Sequence, residues 1–422
     1  MSRQNLLFKL LPILLFVMTP RTGFGYSVLT HEAIIDSAWV DLIRPLILRR
    51  YPDASEDALR EAHAYAYGGC VIQDVGYYPF SNKFFSDLVH CVRSGDFVES
   101  LIHESQNPNE FAFALGVLAH YCADSSGHAI AVNRAVPLLY KKLAEKFGDE
   151  ISFADNPKAH LRLEFGFDVL QVARGHYGDE AYRDFIGFKV SKAVLERAFL
   201  QTYGLDLKEV LTSPDLALGT YRRGVSSIIP KMTQVAWEWK KDEIQSVGPT
   251  ATYQRFIFNL SRAEYEKQWG KDYEEPGLLV KFLGLLLRIV PKIGPFKALS
   301  FKILTPEAEQ LFMKSFNATL DTYRTLVDQL HTGRLDLTNN NLDLGRPTGP
   351  GEYEITDEAY AQLLDKLAEN RFENVNPDLR TDIVAFYSNL NAPFVTKKKK
   401  KHWRKTVEAL AALKALSVPS SL

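Results

Sequence analysis

The chain has 422 residues, of which 46% are hydrophobic and 24% are charged, and its formal net charge is -1. A composition of this kind indicates a globular protein of one large or two medium domains. Because the chain is close to neutral, it has no overall electrostatic attraction to nucleic acid. This argues against a protein that binds nucleic acid through its net charge.

The first 25 residues, MSRQNLLFKLLPILLFVMTPRTGFG, have the pattern of a secretory signal peptide: two basic residues, a short apolar core and small residues before a cleavage site. The apolar core is too short for a stable membrane span. We predict cleavage after Gly25, which makes Tyr26 the first residue of a protein exported to the periplasm or outside the cell. An uncleaved anchor is the alternative, because Arg21 is unusual in a cleavage region.

The rest of the sequence predicts an all-α fold, since alternating β-branched runs are few. Up to about residue 245, helices are predicted at 30–49, 56–67, 82–93, 109–130, 134–147, 157–174, 178–203 and 217–243. Beyond it, helices are predicted at 276–292, 305–332, 356–370 and 376–389, with an Asn/Gly/Pro-rich loop at 337–352 and a last helix after Lys397–Lys401. We therefore divide the mature chain into residues 26–245 and a helical C-terminal region, 246–422, of unknown role.

The stretch HYCADSSGH places His120, Asp124 and His128 at intervals of four residues. If the apolar helix that precedes it runs on through His128, the three side chains lie within about 80° of one another on one face. A helix this apolar is expected to be buried, and buried imidazole and carboxylate groups need partners. Two interpretations fit: a hydrogen-bonded core network, or a metal site, since both groups are ligands of zinc.

Other candidate ligands lie in similar settings before residue 165. His31 opens the first helix, Asp74 lies in the Gly-rich stretch GGCVIQDVGYYP, and His90 ends a helix. His160 and Glu164, in HLRLEFGFD, are four residues apart and therefore face the same way on a helix. These segments together supply five His and three carboxylates, which is enough for more than one divalent metal in a helical bundle.

The three cysteines, Cys70, Cys91 and Cys122, each lie close to a candidate ligand in the sequence. Cys122 is two residues from His120, so it points to the opposite side of that helix. An odd number of cysteines in an exported protein allows one disulfide and one free thiol. We interpret them as core residues or one disulfide, and not as ligands.

Several of these motifs resemble the zinc-dependent phospholipase C superfamily, which includes the S1/P1-type nucleases and the zinc domain of glycosylphosphatidylinositol-specific phospholipase D. The resemblance is carried by YSVLTH at the mature start, GGCVIQDVGYYP, the His90 region, HYCADSSGH and HLRLEFGFD, over residues 26–170. It implies an all-α, multi-helix bundle that binds three zinc ions. The short gap between Asp124 and His128 differs from the bacterial enzymes and agrees better with the phospholipase D-like branch.

The resemblance implies a set of ligands for each zinc ion. Asp74, His90, His120 and Asp124 would hold one ion, and His128, His160 and Glu164 a second. The third would be held by His31, a bridging Asp124, and the α-amino nitrogen and carbonyl oxygen of Tyr26. The bacterial members have Trp where this chain has Tyr26, a difference that backbone ligands tolerate.

The resemblance also implies the activity, that of an exported zinc-dependent phosphodiesterase of the phospholipase C or D type. Zinc ions lower the pKa of a bound water and neutralise the charge that develops on a phosphodiester. Asp74 is the candidate general base, provided that one of its oxygens stays free. The aromatic residues Tyr77, Tyr78 and Phe80 either line a lipid or base pocket or are ordinary core residues.

Two other functions are the alternatives to a phospholipase. A single-strand-specific nuclease is the rival enzyme, and the neutral net charge and the ligand spacing argue against it. A non-catalytic zinc-dependent binding protein is the alternative of a different class, and the complete set of ligands argues against that. We therefore expect a phospholipid or another phosphodiester as the substrate.

Two segments are candidates for peripheral membrane contact. In the apolar segment 276–292, Lys281, Arg288 and Lys292 fall within about 40° on a helical wheel, as in an interfacial helix. A core helix with one solvated edge is the interpretation that we favour. The basic run at 397–405 offers a site for anionic head groups, although such runs are more often solvated surface.

Overall fold

The computed structural model describes residues 27–223 and 304–416, apart from Pro79, residues 175–188 and residue 212, and also Asp242, Gln245 and Lys302. The regular structure of these residues is helical, with one isolated antiparallel bridge, between Asn341 and Arg346, and no strand. The all-α fold predicted from the sequence is therefore confirmed. The predicted helix at 276–292 and the predicted signal peptide lie outside the described residues.

The helices of the first part pack around one buried core. Their bounds are α1 (Val28–Ala38), α2 (Arg44–Arg50), α3 (Glu56–Gly69), α4 (Lys83–Cys91), α5 (Ser94–Glu104), α6 (Pro108–Ser126), α7 (Asn133–Leu139), α8 (Lys141–Phe147), α9 (Pro157–Arg174), α10 (Lys192–Tyr203), α11 (Leu207–Val210) and α12 (Pro214–Arg223). Short π-helical segments, Trp39–Ile43 and Gly127–Val132, follow α1 and α6, and a 3₁₀ segment, Ile72–Tyr77, follows α3.

The C-terminal part of the chain adds four described helices to this core. They are α13 (Pro306–His331), α14 (Glu354–Glu369), α15 (Pro377–Phe386) and α16 (Lys400–Ala415). Helix α13 packs on α6, where the Tyr323 hydroxyl donates to the Leu115 carbonyl at 3.1 Å. Helix α14 packs on α4. No helix in the described part of the chain is long and apolar enough to cross a membrane.

Residues at the helix starts explain why the main helices begin where they do. The Ser55 side chain accepts from the Ala58 amide at the start of α3, and the Asn107 side chain accepts from the Glu110 amide at the start of α6. Pro108 takes the first position of α6, where its missing N–H costs nothing. Such caps satisfy amides that the helix itself leaves unpaired.

Helix α6 is the centre of the fold, because its side chains from Phe111 to Asp124 are all buried. It crosses α3 at very short range. A Cβ atom added to Gly116 would lie 2.1 Å from the Ala66 carbonyl oxygen, and one added to Gly69 would lie 2.0 Å from the Phe113 carbonyl oxygen. Only glycine permits this approach, which brings the end of α3 against the middle of α6.

Several helix bounds differ from those predicted. The helix predicted at 30–49 contains the π-helical segment at 39–43, and the one predicted at 134–147 is interrupted at Tyr140. Helix α5 was not predicted at all. Arg93 adopts a left-handed conformation, with φ of 49°, between α4 and α5, so two helices follow each other almost without a loop.

Candidate metal centre

The predicted side-chain ligands that the structure describes are all buried, with at most 3% of any residue exposed. They are His31, Asp74, His90, His120, Asp124, His128, His160 and Glu164. Helices α1, α4, α6 and α9 carry six of them, and the 3₁₀ and π-helical segments carry Asp74 and His128. Tyr26, the predicted backbone ligand, lies outside the described residues.

These eight side chains form three groups in which the potential ligand atoms lie within 4.8 Å of one another. The groups are His31–His120–Asp124, Asp74–His90–His120 and His128–His160–Glu164. The first two groups share His120, and Asp124 of the first group also lies close to His90 of the second. We call these two groups together the central group. The third, the peripheral group, has no member in common with them.

Asp124 lies at the middle of the central group and offers a different oxygen to each side. Its Oδ2 is 3.2 Å from His120 Nε2 and 3.3 Å from His90 Nε2, whereas its Oδ1 is 3.4 Å from His31 Nε2. A carboxylate placed in this way can serve two cations at once. This is the arrangement expected of a bridging Asp124.

The spacing of the donor atoms fits metal ligation better than direct hydrogen bonding. His120 Nε2 lies 3.2 Å from His90 Nε2, and His90 Nε2 lies 3.6 Å from Asp74 Oδ1. Ligands about 2.0–2.1 Å from a tetrahedral zinc ion are about 3.3–3.4 Å apart. Imidazole nitrogens that face each other and a carboxylate at this distance are the donor set that zinc prefers.

The second ring nitrogen of three of the histidines is occupied by a backbone carbonyl. His90 Nδ1 donates to the Ser86 oxygen at 2.8 Å, His120 Nδ1 to the Cys70 oxygen at 2.8 Å, and His160 Nε2 to the Ile151 oxygen at 2.7 Å. Each bond fixes the tautomer and leaves the nitrogen that faces the other donors unprotonated. Orientation of this kind is typical of metal-binding histidines.

His128 belongs to the peripheral group because the α-helix does not continue through it. Helix α6 ends at Ser126, and His128 lies in the π-helical segment. The expectation that His120, Asp124 and His128 form one stripe on a single α-helix is therefore wrong in this detail. The wider turn places the His128 ring 5.7 Å from that of His160, whose Nδ1 is 3.7 Å from Glu164 Oε1.

Burial and neighbouring charges shift the pKa values of these side chains in opposite directions. Burial raises the pKa of Asp74 to about 7, although His120 and His90 oppose the rise. Burial, with Asp124 adding to it, raises the pKa of Glu164 well above its usual range. Burial, with His120 nearby, lowers the pKa of His31 to about 3. A bound cation would stabilise these carboxylates and neutral imidazoles together.

Buried polar atoms without hydrogen-bond partners also indicate a metal site. Among the described residues, both carboxylate oxygens of Asp74 and of Glu164 and the Nδ1 atoms of His128 and His160 lack a hydrogen-bond partner. Such atoms are costly in a protein interior unless an ion or water satisfies them. The donor set, its spacing and its unsatisfied atoms all fit zinc.

Two acidic residues that we did not predict also belong to the site. Asp168 accepts from the Leu29 amide at 3.1 Å and from the Thr30 hydroxyl at 2.7 Å, so it anchors the start of α1 next to His31. Its spacing of four from Glu164 was a usable signal. Asp343 lies in the loop before α14, with Oδ1 3.8 Å from His128 Nε2, and no local pattern marks it.

The aromatic and cysteine predictions have mixed outcomes. Tyr77 is buried with its ring centroid 6.3 Å from that of His90, so it borders the central group. All three cysteines are buried and free. The structure thus contains core cysteines and not the alternative of one disulfide.

The fold and the donor groups define a class: a helical protein with a buried centre suited to several divalent metal ions. Residues 30–213 match the family model described as zinc dependent phospholipase C. This match covers less than half of the chain. It supports the resemblance to the zinc-dependent phospholipase C family drawn from the motifs. The matched range, residues 30–213, contains all eight predicted side-chain ligands. No curated protein and no solved structure matches the chain significantly.

The matched family model describes a zinc-dependent phospholipase C. The match therefore supports a hydrolase of phosphodiester bonds, with Zn²⁺ as the cofactor and a phospholipid as the substrate class. The buried His and Asp groups are available to hold the metal.

Proposed function

We propose that the chain hydrolyses a phospholipid phosphodiester at a centre of about three zinc ions. Asp74, His90, His120 and Asp124 hold one ion, His128, His160 and Glu164 hold another, and His31, Asp124 and the backbone of Tyr26 hold the third. The observation that carries this proposal is the position of Asp124, with one oxygen toward His31 and the other toward His90 and His120.

Bound zinc supplies a nucleophile near neutral pH by lowering the pKa of water, and it neutralises developing negative charge. Asp74 is the proposed general base. Its Oδ1 faces His90, so Oδ2 is the atom that can take a proton. The buried surroundings keep bulk water away from the carboxylate, because Asp74 is only 1% exposed.

The finer features of the proposal are the cleaved bond, the location and the membrane contact. Spacing of the ligands favours the phospholipase D-like branch of the superfamily, and the first 25 residues favour export after cleavage at Gly25. In the basic run 397–405, Lys399 pairs with Glu358 at 2.8 Å and Lys405 with Glu369 at 3.1 Å. Part of that charge is therefore neutralised within the chain, and the rest is available to anionic lipid.

Elemental analysis and a substrate screen test the proposal. Gently purified exported protein is expected to contain zinc and to cleave phosphatidylcholine or phosphatidylinositol in preference to single-stranded DNA. A chelator should abolish the activity, and zinc should restore it. Glu164→Gln should lower the zinc content, whereas Glu145→Gln, at an exposed position on α8, should not.

Three outcomes would contradict the proposal. Protein without zinc and without a response to added zinc would exclude a zinc enzyme. Preferential cleavage of single-stranded DNA would favour the nuclease. Zinc binding and lipid binding without any hydrolysis would favour a non-catalytic binding protein.

A further inference from the structure

His128 differs from three of the other buried histidines in the partner of its second ring nitrogen. His90, His120 and His160 each donate to a backbone carbonyl within the first part of the chain. His128 has no such carbonyl among the described residues. Its Nδ1 has no hydrogen-bond partner there, and its Nε2 lies 3.8 Å from Oδ1 of Asp343.

The two side chains are buried together, because His128 is 1% and Asp343 6% exposed. A separation of 3.8 Å is longer than a hydrogen bond, but a carboxylate this close in a buried site still attracts an N–H group. It therefore favours the ring tautomer with the proton on Nε2. Nδ1 is then left with a free lone pair, as a metal ligand requires.

Asp343 is itself held in a fixed orientation. The Tyr353 hydroxyl donates to its Oδ2 at 2.6 Å and accepts from the Ala154 amide at 3.2 Å. The Asn133 side-chain amide donates to the Asp343 backbone carbonyl at 2.9 Å. The carboxylate thus lies in a network that joins the C-terminal loop to the residues just before α9.

The loop that carries Asp343 also contacts the ends of α4 and α6, two of the helices that supply metal ligands. The Leu342 amide donates to the carbonyl of His90 at 2.9 Å. Gly345 has a φ of 67°, and a Cβ atom added there would lie 2.3 Å from the Ser125 carbonyl oxygen. Only glycine permits this close approach, so the loop packs directly against the end of α6, next to the ligand Asp124.

We propose that Asp343 is a positioning residue for the zinc ligand His128, contributed by a part of the chain outside the family match of residues 30–213. This inference rests on the proposed zinc centre. The carboxylate orients the His128 ring, holds the proton on Nε2 and makes Nδ1 a better donor. The C-terminal region is then part of the metal centre and not only an appendage to it.

The test measures metal binding in the full-length protein. Asp343→Asn keeps the size of the side chain and removes its charge, and Tyr353→Phe removes only the hydroxyl that orients the carboxylate. Asp336→Asn, at an exposed position in the same connection, is the matched control. We expect Asp343→Asn to weaken the affinity for one zinc ion by about 10–100-fold, Tyr353→Phe to weaken it less, and the control to leave it unchanged.

A spectroscopic and a thermal measurement separate positioning from simple structural support. In protein substituted with Co²⁺, Asp343→Asn should change the visible absorption of one site. The melting temperature of the metal-free protein should be the same as that of the unmodified metal-free chain. Only the stabilisation gained from zinc should fall, because the residue acts through a metal ligand.

The inference is overturned if Asp343→Asn keeps the zinc affinity and the cobalt spectrum. It is also overturned if the metal-free melting temperature falls while the stabilisation by zinc is unchanged, since that is a structural role. Should Asp343→Asn fail to fold, Tyr353→Phe decides by the same criteria. Unmodified protein that binds no zinc would overturn the proposed function itself, whereas zinc-loaded protein that is insensitive to Asp343 overturns only this inference.

Discussion

The central and peripheral groups of ligands are built from similar residues but are connected differently. In the central group one carboxylate, Asp124, faces His31 on one side and His90 and His120 on the other. The peripheral group, which contains Glu164, shares no ligand with it. Loss of a shared ligand disturbs two sites, and loss of an unshared ligand disturbs one.

The two groups also depend on different parts of the fold. The central group depends on the close crossing of α3 and α6, which brings the Cys70 carbonyl within 2.8 Å of His120 Nδ1. The peripheral group depends on the π-helical segment that carries His128 and on Asp343 from the C-terminal loop. The central group therefore depends on contacts within the first part of the chain, whereas the peripheral group also depends on a distant segment.

The largest effect is expected from substitution of the shared carboxylate. Asp124→Asn should remove about two zinc ions per chain, whereas Glu164→Gln should remove about one, because only the first residue faces two sets of ligands. Both variants should lose most of the hydrolytic activity. The zinc content of purified protein, measured by elemental analysis, checks the difference. Equal zinc loss in the two variants would show that Asp124 does not bridge.

Blocking the α-amine of Tyr26 should have a smaller effect than Asp124→Asn, because only one zinc ion is proposed to bind there. Any residue retained ahead of Tyr26 converts its α-amine into an amide, which is a far poorer ligand. Protein with an N-terminal extension should therefore lose about one zinc ion of the central group and much of its activity. Tyr26→Trp, correctly processed, should keep both, because the proposed ligands are backbone atoms.

Mass spectrometry of the exported protein provides the check on processing. We expect Tyr26 as the first residue. An extended protein with unaltered zinc content and rate would mean that the site containing His31 is built without the N-terminus.

The sequence predicts one pair of ligands in each group because the signals of these pairs are local. The spacing of four residues in His120–Asp124 and in His160–Glu164 follows from helix geometry and needs no knowledge of the fold. Asp343 has no comparable signal. It lies in a loop whose position depends on how α13 and α14 pack against the first part of the chain.

The same reasoning explains the errors in the helix bounds. The left-handed Arg93 joins α4 and α5 with hardly any loop. The sequence has no proline or pair of glycines there that would predict a break between two helices. The π-helical segment that contains His128 adds an extra residue to a turn, which hydrophobic periodicity does not reveal. Both features are set by tertiary packing.

A third prediction addresses the crossing that supports the central group. Gly116→Ala should destabilise the protein by about 1–3 kcal/mol or more, because the new methyl group meets the Ala66 carbonyl at 2.1 Å. Gly219→Ala, in α12, is the matched control, since a Cβ atom there meets nothing among the described residues within 4 Å. It should be neutral or stabilise by up to about 1 kcal/mol, from helix propensity.

Thermal unfolding with and without zinc measures both variants. A shift of α3 away from α6 would also move the Cys70 carbonyl from His120, so Gly116→Ala should lower zinc affinity as well as stability. Gly116→Ala protein as stable as the control would mean that the two helices can separate at little cost.

The smallest effect is expected from Asp168, which holds the start of α1. Its carboxylate accepts from the Leu29 amide and the Thr30 hydroxyl at the positive end of that helix, and burial raises its pKa to about 6. Asp168→Asn replaces one acceptor oxygen with a donor, which should cost about 1–2 kcal/mol of stability and loosen the segment that carries His31. Asp149→Asn, an exposed position between α8 and α9, should change neither property.

Titration of the zinc-loaded Asp168→Asn protein with a chelator locates the effect. Because Asp168 holds the segment that carries His31, the first zinc ion to be lost should be one from the central group. Preferential loss from the peripheral group would show that Asp168 acts through Glu164 on its own helix and not through α1.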